Sequence, residues 1–313
     1  MKVLITDKVH QLLPNALIKK GWDVDYKTSI TLDEVHDSIH DYDGIIINSK
    51  ILMDRTLIDK GKKLTFVARL GSGMEIVDIT NARSRGIRVI NAPEGNSNAV
   101  AEHAMGMLLI LANKLIKGNE EVKRFHWDRE GNRGFELKGK TIGIIGVGHT
   151  GSALASKLVN WDVRVLGYDK YKSGYGRSCN VIETDLDVVL NESDVISFHL
   201  PLTEEVIHMC NEDFLHRCKQ GVIIINTSRG KVINTHALIK AMEKGHVGGA
   251  CLDVFENENP RNYSTEERAM YESLFSNSNV IVSSHVAGWT HESLEAIARL
   301  VLKRIENGYT MEA

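Results

Sequence analysis

At 313 residues, with 42% apolar and 25% charged side chains, the chain has the balance of a globular protein and the length for two domains of ordinary size. Its 38 basic and 41 acidic residues leave a formal charge of -3, which gives no electrostatic case for nucleic acid or an anionic membrane as a partner. Cys179, Cys210, Cys218 and Cys251 are scattered without a CxxC pair, so neither a disulfide framework nor a metal site is expected, and a reducing, cytoplasmic setting is.

Residues 1–6 read as a short buried strand and not as a secretory leader. Further short segments rich in β-branched residues follow at 22–27, 44–48, 66–70 and 88–91, with amphipathic stretches at 9–20, 32–40 and 54–62 between them. This alternation predicts a parallel sheet with helices on both faces. A single long helix is predicted over 97–122; its most apolar part, 105–112, is too short to cross a bilayer. After a loop containing Asp128, Gly131, Asn132 and Gly134, strand signals resume at 141–146, 163–168, 195–200, 221–226, 249–254 and 280–284. The second unit is therefore also α/β and doubly wound. An amphipathic helix over 291–307 closes the chain, and periodicity does not say which unit it joins.

The apolar strand at 141–145 runs into Gly146, Gly148 and Gly151 in GxGxxG spacing, with a helix expected over 152–158. Strand, glycines and helix stand in the order a dinucleotide site needs: one glycine for the tight turn, one for backbone approach to a pyrophosphate, one for helix–strand packing. The helix N-terminus then offers unpaired N–H groups to the phosphates. The next strand ends at Asp169, whose carboxylate suits a ribose hydroxyl and repels a 2′-phosphate, favouring NAD; Lys170 beside it leaves room for dual use.

Polar residues follow the later strands. Thr227, Ser228 and Arg229 come after 221–226, Asp253, Glu256 and Glu258 after 249–252, and His285 after 280–284. Open α/β sheets place ligands at these carboxyl ends. Histidine suits removal of a hydroxyl proton, a carboxylate can orient it and favour its charged form, and arginine can grip a substrate carboxylate. Taken singly, Arg229 reads equally as a surface ion-pair partner, Asp253 as a turn cap, Glu256 and Glu258 as solvated turn residues, and His285 as a core histidine. Together, after a dinucleotide fingerprint, they read as an acid–base site.

These segments resemble the D-isomer-specific 2-hydroxyacid dehydrogenase family over nearly the whole chain. The resemblance is carried by residues 68–73, 100–102, 136–141, 199–203, 226–230, 252–256 and 285–288 together with the glycine fingerprint. It implies a Rossmann NAD-binding domain, 99–287, inserted in a flavodoxin-like substrate domain, 1–98 and 288–313, with the last helix returning to the first domain and the substrate in a cleft between the two. It implies that Arg229 binds and polarises substrate, Glu258 (five residues past Asp253, with Glu256 second choice) supports the histidine, and His285 is the acid/base. The implied cofactor set is Gly146, Gly148, His149, Thr150, Gly151, Asp169, His199, Pro201, Thr203, Thr227, Ser228, Asp253 (at the nicotinamide carboxamide), His285 and Gly288. The implied substrate set is Asn48, Lys50, Leu70, Gly71, Ser72, Gly73 and Arg229, with the backbone of Ser72 and Gly73 on the carboxylate. A homodimer or dimer of dimers built on the helix after Asn96 is also implied.

Within the family, residues 92–97, His149 and Trp127 are most similar to D-3-phosphoglycerate dehydrogenases, which act in serine biosynthesis. Asn48 stands where those enzymes commonly carry arginine, with Lys50 nearby; Met74, Glu75 and Ile76 replace the usual segment, Ser284 a proline, and 259–277 reads as a lengthened loop. No appended regulatory domain is expected after Ala313. The alternatives are a glyoxylate, hydroxypyruvate or D-lactate-type reductase and, from another class, an NAD(H)-sensing corepressor-like protein. A formate dehydrogenase would lack the carboxylate partner that Glu258 provides.

Overall fold

The computed structural model describes residues 1–311. The chain divides into two compact units, Met1–Asn96 with the segment that starts at Trp289, and Ser97–Gly288. Glu312 and Ala313, the end of the expected 288–313 segment, lie outside the described residues.

The first unit alternates β1 (Lys2–Ile5), α1 (Leu12–Lys19), β2 (Asp23–Tyr26), α2 (Leu32–Ser38), β3 (Gly44–Ile47), α3 (Arg55–Lys60), β4 (Phe66–Arg69), α4 (Ile79–Ser84) and β5 (Arg88–Ile90). All neighbouring strands are parallel, in the order β2-β1-β3-β4-β5. Central β3 is buried along its whole length, which is why it is an unbroken Ile45, Ile46, Ile47 run and not an alternating one. Edge strand β2 carries Asp23 and Asp25, charges that discourage further pairing. Side-chain caps start the helices: Thr31 and Glu34 form a reciprocal box at α2, and Asp54 and Asp78 cap α3 and α4.

The second unit opens with α5 (Ser97–Ala112) and α6 (Leu115–Lys123), where one helix was expected. The two are bent by 59° at the break. Lys114 adopts φ 51, and the carbonyl of Ala112 accepts the N–H of Phe135 at 3.0 Å. The returning loop thus takes an acceptor that a continuous helix would keep for itself. A lysine in the left-handed position hides this stop from sequence, because glycine is the usual marker. No single helix among the described residues is long and apolar enough to cross a membrane; α5 and α6 together meet the length and composition, but Ala104, Leu108 and Leu111 of α5 pack into the unit's core.

Then come β6 (Thr141–Ile145), α7 (His149–Lys157), β7 (Arg164–Tyr168), α8 (Gly176–Cys179), β8 (Ile182–Glu183), α9 (Leu186–Glu192), β9 (Val195–Phe198), α10 (Glu212–Arg217), β10 (Val222–Asn226), α11 (Thr235–Glu243), β11 (Val247–Leu252), α12 (Thr265–Ser276) and β12 (Val280–Val282). The seven strands are all parallel, ordered β12-β11-β10-β9-β6-β7-β8. This is the dinucleotide-binding order, with its switch point between β6 and β9. The expected pair of doubly wound parallel sheets is therefore present. Two further elements differ from expectation: β8 carries no strong strand signal, and most of 259–277 is helix, not loop, with Ser264 and Glu267 boxing the start of α12.

The final helix, α13 (His291–Glu306), belongs to the first unit. Ile297, Ala298, Val301 and Ile305 recur at helical spacing and pack with Val3, Leu13, Phe66 and Ile90.

Candidate functional site

The glycine turn sits at the switch point of the second sheet. Gly146, at φ 91, leaves β6, and a Cβ there would lie 2.4 Å from the carbonyl oxygen of His199. A Cβ on Gly151 would lie 2.1 Å from the Gly146 carbonyl oxygen. Both glycines are therefore required by the protein itself. Gly148 is different: it has φ -84, and its nearest neighbour would be the flexible Lys172 ammonium at 4.0 Å. Nothing in the protein demands a glycine there, whereas a pyrophosphate lying on the turn does. The helix starts at His149, three residues earlier than expected, so Thr150 and Gly151 lie in its first turn, which has no side-chain cap.

Asp169 follows β7 and accepts the N–H of Val147 at 2.9 Å and those of Tyr171 and Lys172 at 3.0 Å. Its carboxylate thus stands beside the glycine turn. Lys170 pairs with Glu205, which also accepts the Tyr171 hydroxyl, so this cation is already engaged. Beyond β9, His199 is buried and holds Ser197 Oγ through Nε2 at 2.9 Å, while its Nδ1 has no hydrogen-bond partner among the described residues. Burial depresses its pKa to about 4, so the ring is neutral at ordinary pH. Pro201 and Thr203 follow on the exposed segment.

Strands β10, β11 and β12 are adjacent, so the loops at their carboxyl ends cluster. After β10, the buried Asn226 side chain accepts from the N–H and Oγ–H of Ser228 at 3.0 and 2.8 Å and donates to the Arg229 carbonyl at 2.9 Å. Asn226 carries no site role in the sequence pattern, yet its side chain shapes the whole Thr227–Arg229 turn. Thr227 and Ser228 are buried, and Thr227 Oγ1 has no hydrogen-bond partner among the described residues. A Cβ on Gly230 would meet the Phe255 carbonyl at 1.8 Å, so the Arg229 turn and the post-β11 loop lie in direct contact.

Asp253 is 1% exposed, and the turn that carries His285 takes up its carboxylate. It accepts from Ser283 Oγ at 2.6 Å and from the N–H groups of Val286 and Ala287 at 2.9 and 2.8 Å. His103 on α5 joins this network through Ser283 Oγ at 2.8 Å, another residue that no sequence pattern singled out. Held this way, His285 adopts φ 56, a conformation unusual outside glycine.

His285 Nδ1 meets Glu258 Oε2 at 2.8 Å. Glu258, and not Glu256, is its partner; Glu256 instead meets His208 at 2.5 Å. The Glu258 hydrogen bond raises the His285 pKa above 6.5 against the opposing pull of burial; the charges of Glu258 and Asp253 add to it, and that of Arg229 subtracts. Burial would lift the Glu258 carboxyl, but the bond and charge of His285, the Phe255 N–H and Arg229 hold it below 4.5. The arrangement keeps a proton available on the imidazole and leaves Nε2 without a hydrogen bond among the described residues.

In the first unit, Leu70, Gly71 and Gly73 are buried after β4, with Ser72 half-buried between them. Arg69 donates to the carbonyls of Asn48, at 3.0 Å, and Gly73. This cation, absent from the expected site residues, ties the two segments expected to face the substrate. Lys50 is exposed and donates to the Thr28 carbonyl at 2.9 Å. One group in the second unit, Glu121, His126 and Asp128, brings possible metal ligands within 4.8 Å of one another. Lys117 already lies 3.4 Å from Glu121 and 3.5 Å from Asp128, supplying a cation there.

Residues 105–287 match the model of the D-isomer specific 2-hydroxyacid dehydrogenase, NAD binding domain. The chain is 33% identical over 308 residues to a D-3-phosphoglycerate dehydrogenase of Archaeoglobus fulgidus, covering 98% of this chain and 57% of that one. It therefore spans little more than half the length of that relative. It is 36% identical to a glyoxylate reductase of Pyrococcus furiosus, covering 88% of this chain and 82% of that protein. Among solved structures, D-lactate dehydrogenase from Aquifex aeolicus, complexed with NAD and lactic acid, superposes with a TM-score of 0.84 at 29% identity, covering 98% and 95% of the two chains.

Proposed function

The chain belongs to the D-isomer specific 2-hydroxyacid dehydrogenase family, and on that premise we propose that it transfers a hydride between a D-2-hydroxy acid and NAD. The observation that carries this reading is the His285–Glu258 pair at the end of the same sheet whose β6 bears the glycine turn.

The second unit fits the dinucleotide. Among the described residues nothing crowds Gly148, the first turn of α7 has no side-chain cap, and His199 Nδ1 and Thr227 Oγ1 are buried without hydrogen-bond partners. On this reading Gly146, Gly148, His149, Thr150 and Gly151 hold the pyrophosphate and Asp169 the adenosine ribose. His199, Pro201, Thr203, Thr227, Ser228, Asp253, His285 and Gly288 complete the set. When bound, NAD supplies the hydride acceptor for oxidation and NADH the donor for reduction.

The chain's own residues manage the proton and the substrate. In oxidation, neutral His285 takes the hydroxyl proton at Nε2, and the carboxylate of Glu258 at Nδ1 stabilises the imidazolium that results. In reduction the imidazolium returns that proton to the developing alkoxide. Arg229 grips the acid and polarises its carbonyl. The family resemblance assigns Asn48, Lys50, Leu70, Gly71, Ser72 and Gly73 to the substrate.

For the acid itself we infer D-3-phosphoglycerate and 3-phosphohydroxypyruvate, supported by the local similarity at 92–97 and by the phosphoglycerate dehydrogenase relatives. An unphosphorylated acid is the second reading: Asn48 brings no cation for a phosphate, and Lys50 already holds the Thr28 carbonyl. Steady-state oxidation of NADH with 3-phosphohydroxypyruvate, hydroxypyruvate, glyoxylate and pyruvate side by side separates them. Failure of all four to oxidise NADH would sink the enzyme reading and leave the sensing protein.

Self-association through α6 and the segment after it completes the proposal. Leu115, Ile116, Val122, Phe125 and Trp127 are exposed there, Phe125 to 87%. Sedimentation of the wild type and of Trp127→Glu tests it, with loss of the dimer expected in the variant. The four cysteines are free, three of them buried, which supports a reducing compartment such as the cytoplasm.

A further inference from the structure

Three carboxylates, Asp253, Glu256 and Glu258, lie within six residues of one loop, and the roles above use only two. Glu256 is half-buried. Its Oε1 accepts the N–H of Thr235, the first residue of α11, at 2.8 Å, and its Oε2 meets His208 Nε2 at 2.5 Å. Neither partner belongs to its own loop.

The surroundings show what those bonds join. His208 donates its N–H to Lys231 at 2.7 Å, Cys210 donates to Val232 at 3.0 Å, and Asn234 donates back to Cys210 at 3.0 Å. The segment after β9 and the segment after Arg229 are thus stitched together by backbone. The loop after β11 approaches the same strip through the contact between Gly230 and Phe255. That contact is steric and does not fix how far the loop slides. Glu256 supplies the directional link, since one carboxylate grips both members of the strip. His208 reaches it from φ 53, so its backbone too is held in an uncommon conformation.

We propose that Glu256 is a positioning residue: by joining Thr235 and His208 it sets the Glu258-bearing loop in register with the Arg229-bearing turn. The substrate-gripping arginine and the support of the acid/base histidine are thereby kept at fixed separation. Asn257 N–H, bonded to the Tyr271 hydroxyl at 3.1 Å, anchors the far side of the loop to α12. Glu256 controls the near side. The proposal rests on the acid–base role given above to His285 and Glu258.

The test compares Glu256→Ala with Glu256→Gln, whose amide can still accept from Thr235. Two readouts are taken from the full chain. One is the titration of the His285 imidazole followed by NMR with NADH bound and no acid present. The other is kcat and KM for the best 2-oxo acid. The alanine variant is expected to lower kcat about tenfold with KM little changed, inside the ~10²-fold that a 1 Å misplacement can cost. Its His285 titration should move down toward the ordinary value, and glutamine should restore both. A wild-type-like titration and kcat in the alanine variant would overturn the proposal and reduce Glu256 to a helix cap. If Glu256→Ala does not fold, His208→Ala decides by the same readouts. If the wild type turns over no 2-oxo acid, the functional reading fails by itself, while the titration still tests the positioning.

Discussion

Glu256 and Glu258, two residues apart on one loop, each pair with a histidine, and the two pairs differ in which ring nitrogen is used. Both histidines have positive φ, 56 at His285 and 53 at His208. His285 gives Glu258 its Nδ1, the nitrogen nearer the backbone, and keeps Nε2 at the tip of the ring. His208 gives Glu256 its Nε2, so its tip is already engaged, and the carboxylate is pinned further by Thr235. The first geometry delivers a proton outward and the second joins two segments. The residue types are alike in both pairs, so the choice of nitrogen separates a reacting histidine from a structural one.

Substitution breaks this comparison most sharply at the rings. His285→Gln is expected to lower kcat by about 10²–10⁴-fold, the range of general acid–base catalysis, with NADH affinity preserved in a fluorescence titration. His208→Gln should lose no more than about tenfold, as a positioning contact would. Equal losses would erase the distinction. Next comes Glu258→Gln, expected to cost about 10–10²-fold in kcat. The glutamine amide oxygen can still accept from Nδ1, but the charge of Glu258 is gone; burial, which outranks the charge of Asp253, then lowers the His285 pKa from its wild-type value, with Arg229 acting the same way. Reduction needs the protonated ring, so its pH–rate profile should collapse at lower pH than in the wild type. Oxidation needs the neutral ring, and its rising limb should also move to lower pH. A profile that stays in place would remove Glu258 from the mechanism.

The glycine turn allows a similar comparison within one motif. Gly148→Ala has ordinary φ and open space, so its melting temperature should match the wild type. Its NADH Kd should rise about tenfold, as the loss of one or two backbone contacts to phosphate would cause. Gly151→Ala should instead destabilise the fold by about 1–3 kcal/mol, because its Cβ overlaps the Gly146 carbonyl. Calorimetry and NADH titration on the two variants separate cofactor approach from packing.

How much of this was legible beforehand follows from how local each determinant is. Both sheets were, because buried parallel strands write themselves as β-branched runs such as Ile45–Ile47 and Val222–Ile225. The glycine turn was too, since its order of elements is contiguous in the chain. The break at Lys114 was not: its cause is a contact from Phe135, twenty-one residues on, and the residue at the bend is not a glycine. The role of His103 and the destination of Glu256 escaped for the same reason: their partners, Ser283 for the one and Thr235 and His208 for the other, lie far along the chain. Asn226 differs, since its partners are Ser228 and Arg229 in the very next turn, and an asparagine that ends a strand does not announce that turn. Glu258 over Glu256 was a choice that family spacing made and local chemistry did not. It took the second pair, with His208, to explain where the other glutamate goes.

The smallest expected effect concerns stability, and it has the sharper sign. His285 has its pKa raised above 6.5, so its contribution to folding is complete below 6.5 and is lost as pH rises through the folded value. Glu258 has its pKa held below 4.5, so its contribution is complete above 4.5 and is lost as pH falls through the folded value. The pair therefore stabilises fully only between those limits. With 50% and 40% of the two side chains exposed, water screens the interaction, and the gain belongs with surface pairs. For a chain of this size that is a melting shift of about 2 °C or less. The measurement is the difference in melting temperature between the wild type and Glu258→Gln, taken at pH 5.5 and again at pH 9. The wild-type advantage should be present at the lower pH and shrink at the higher one, because the imidazole has by then lost its proton in both. A constant difference would mean that Glu258 steadies its loop by packing or by the Phe255 N–H contact at 3.3 Å, and not through the charge on His285.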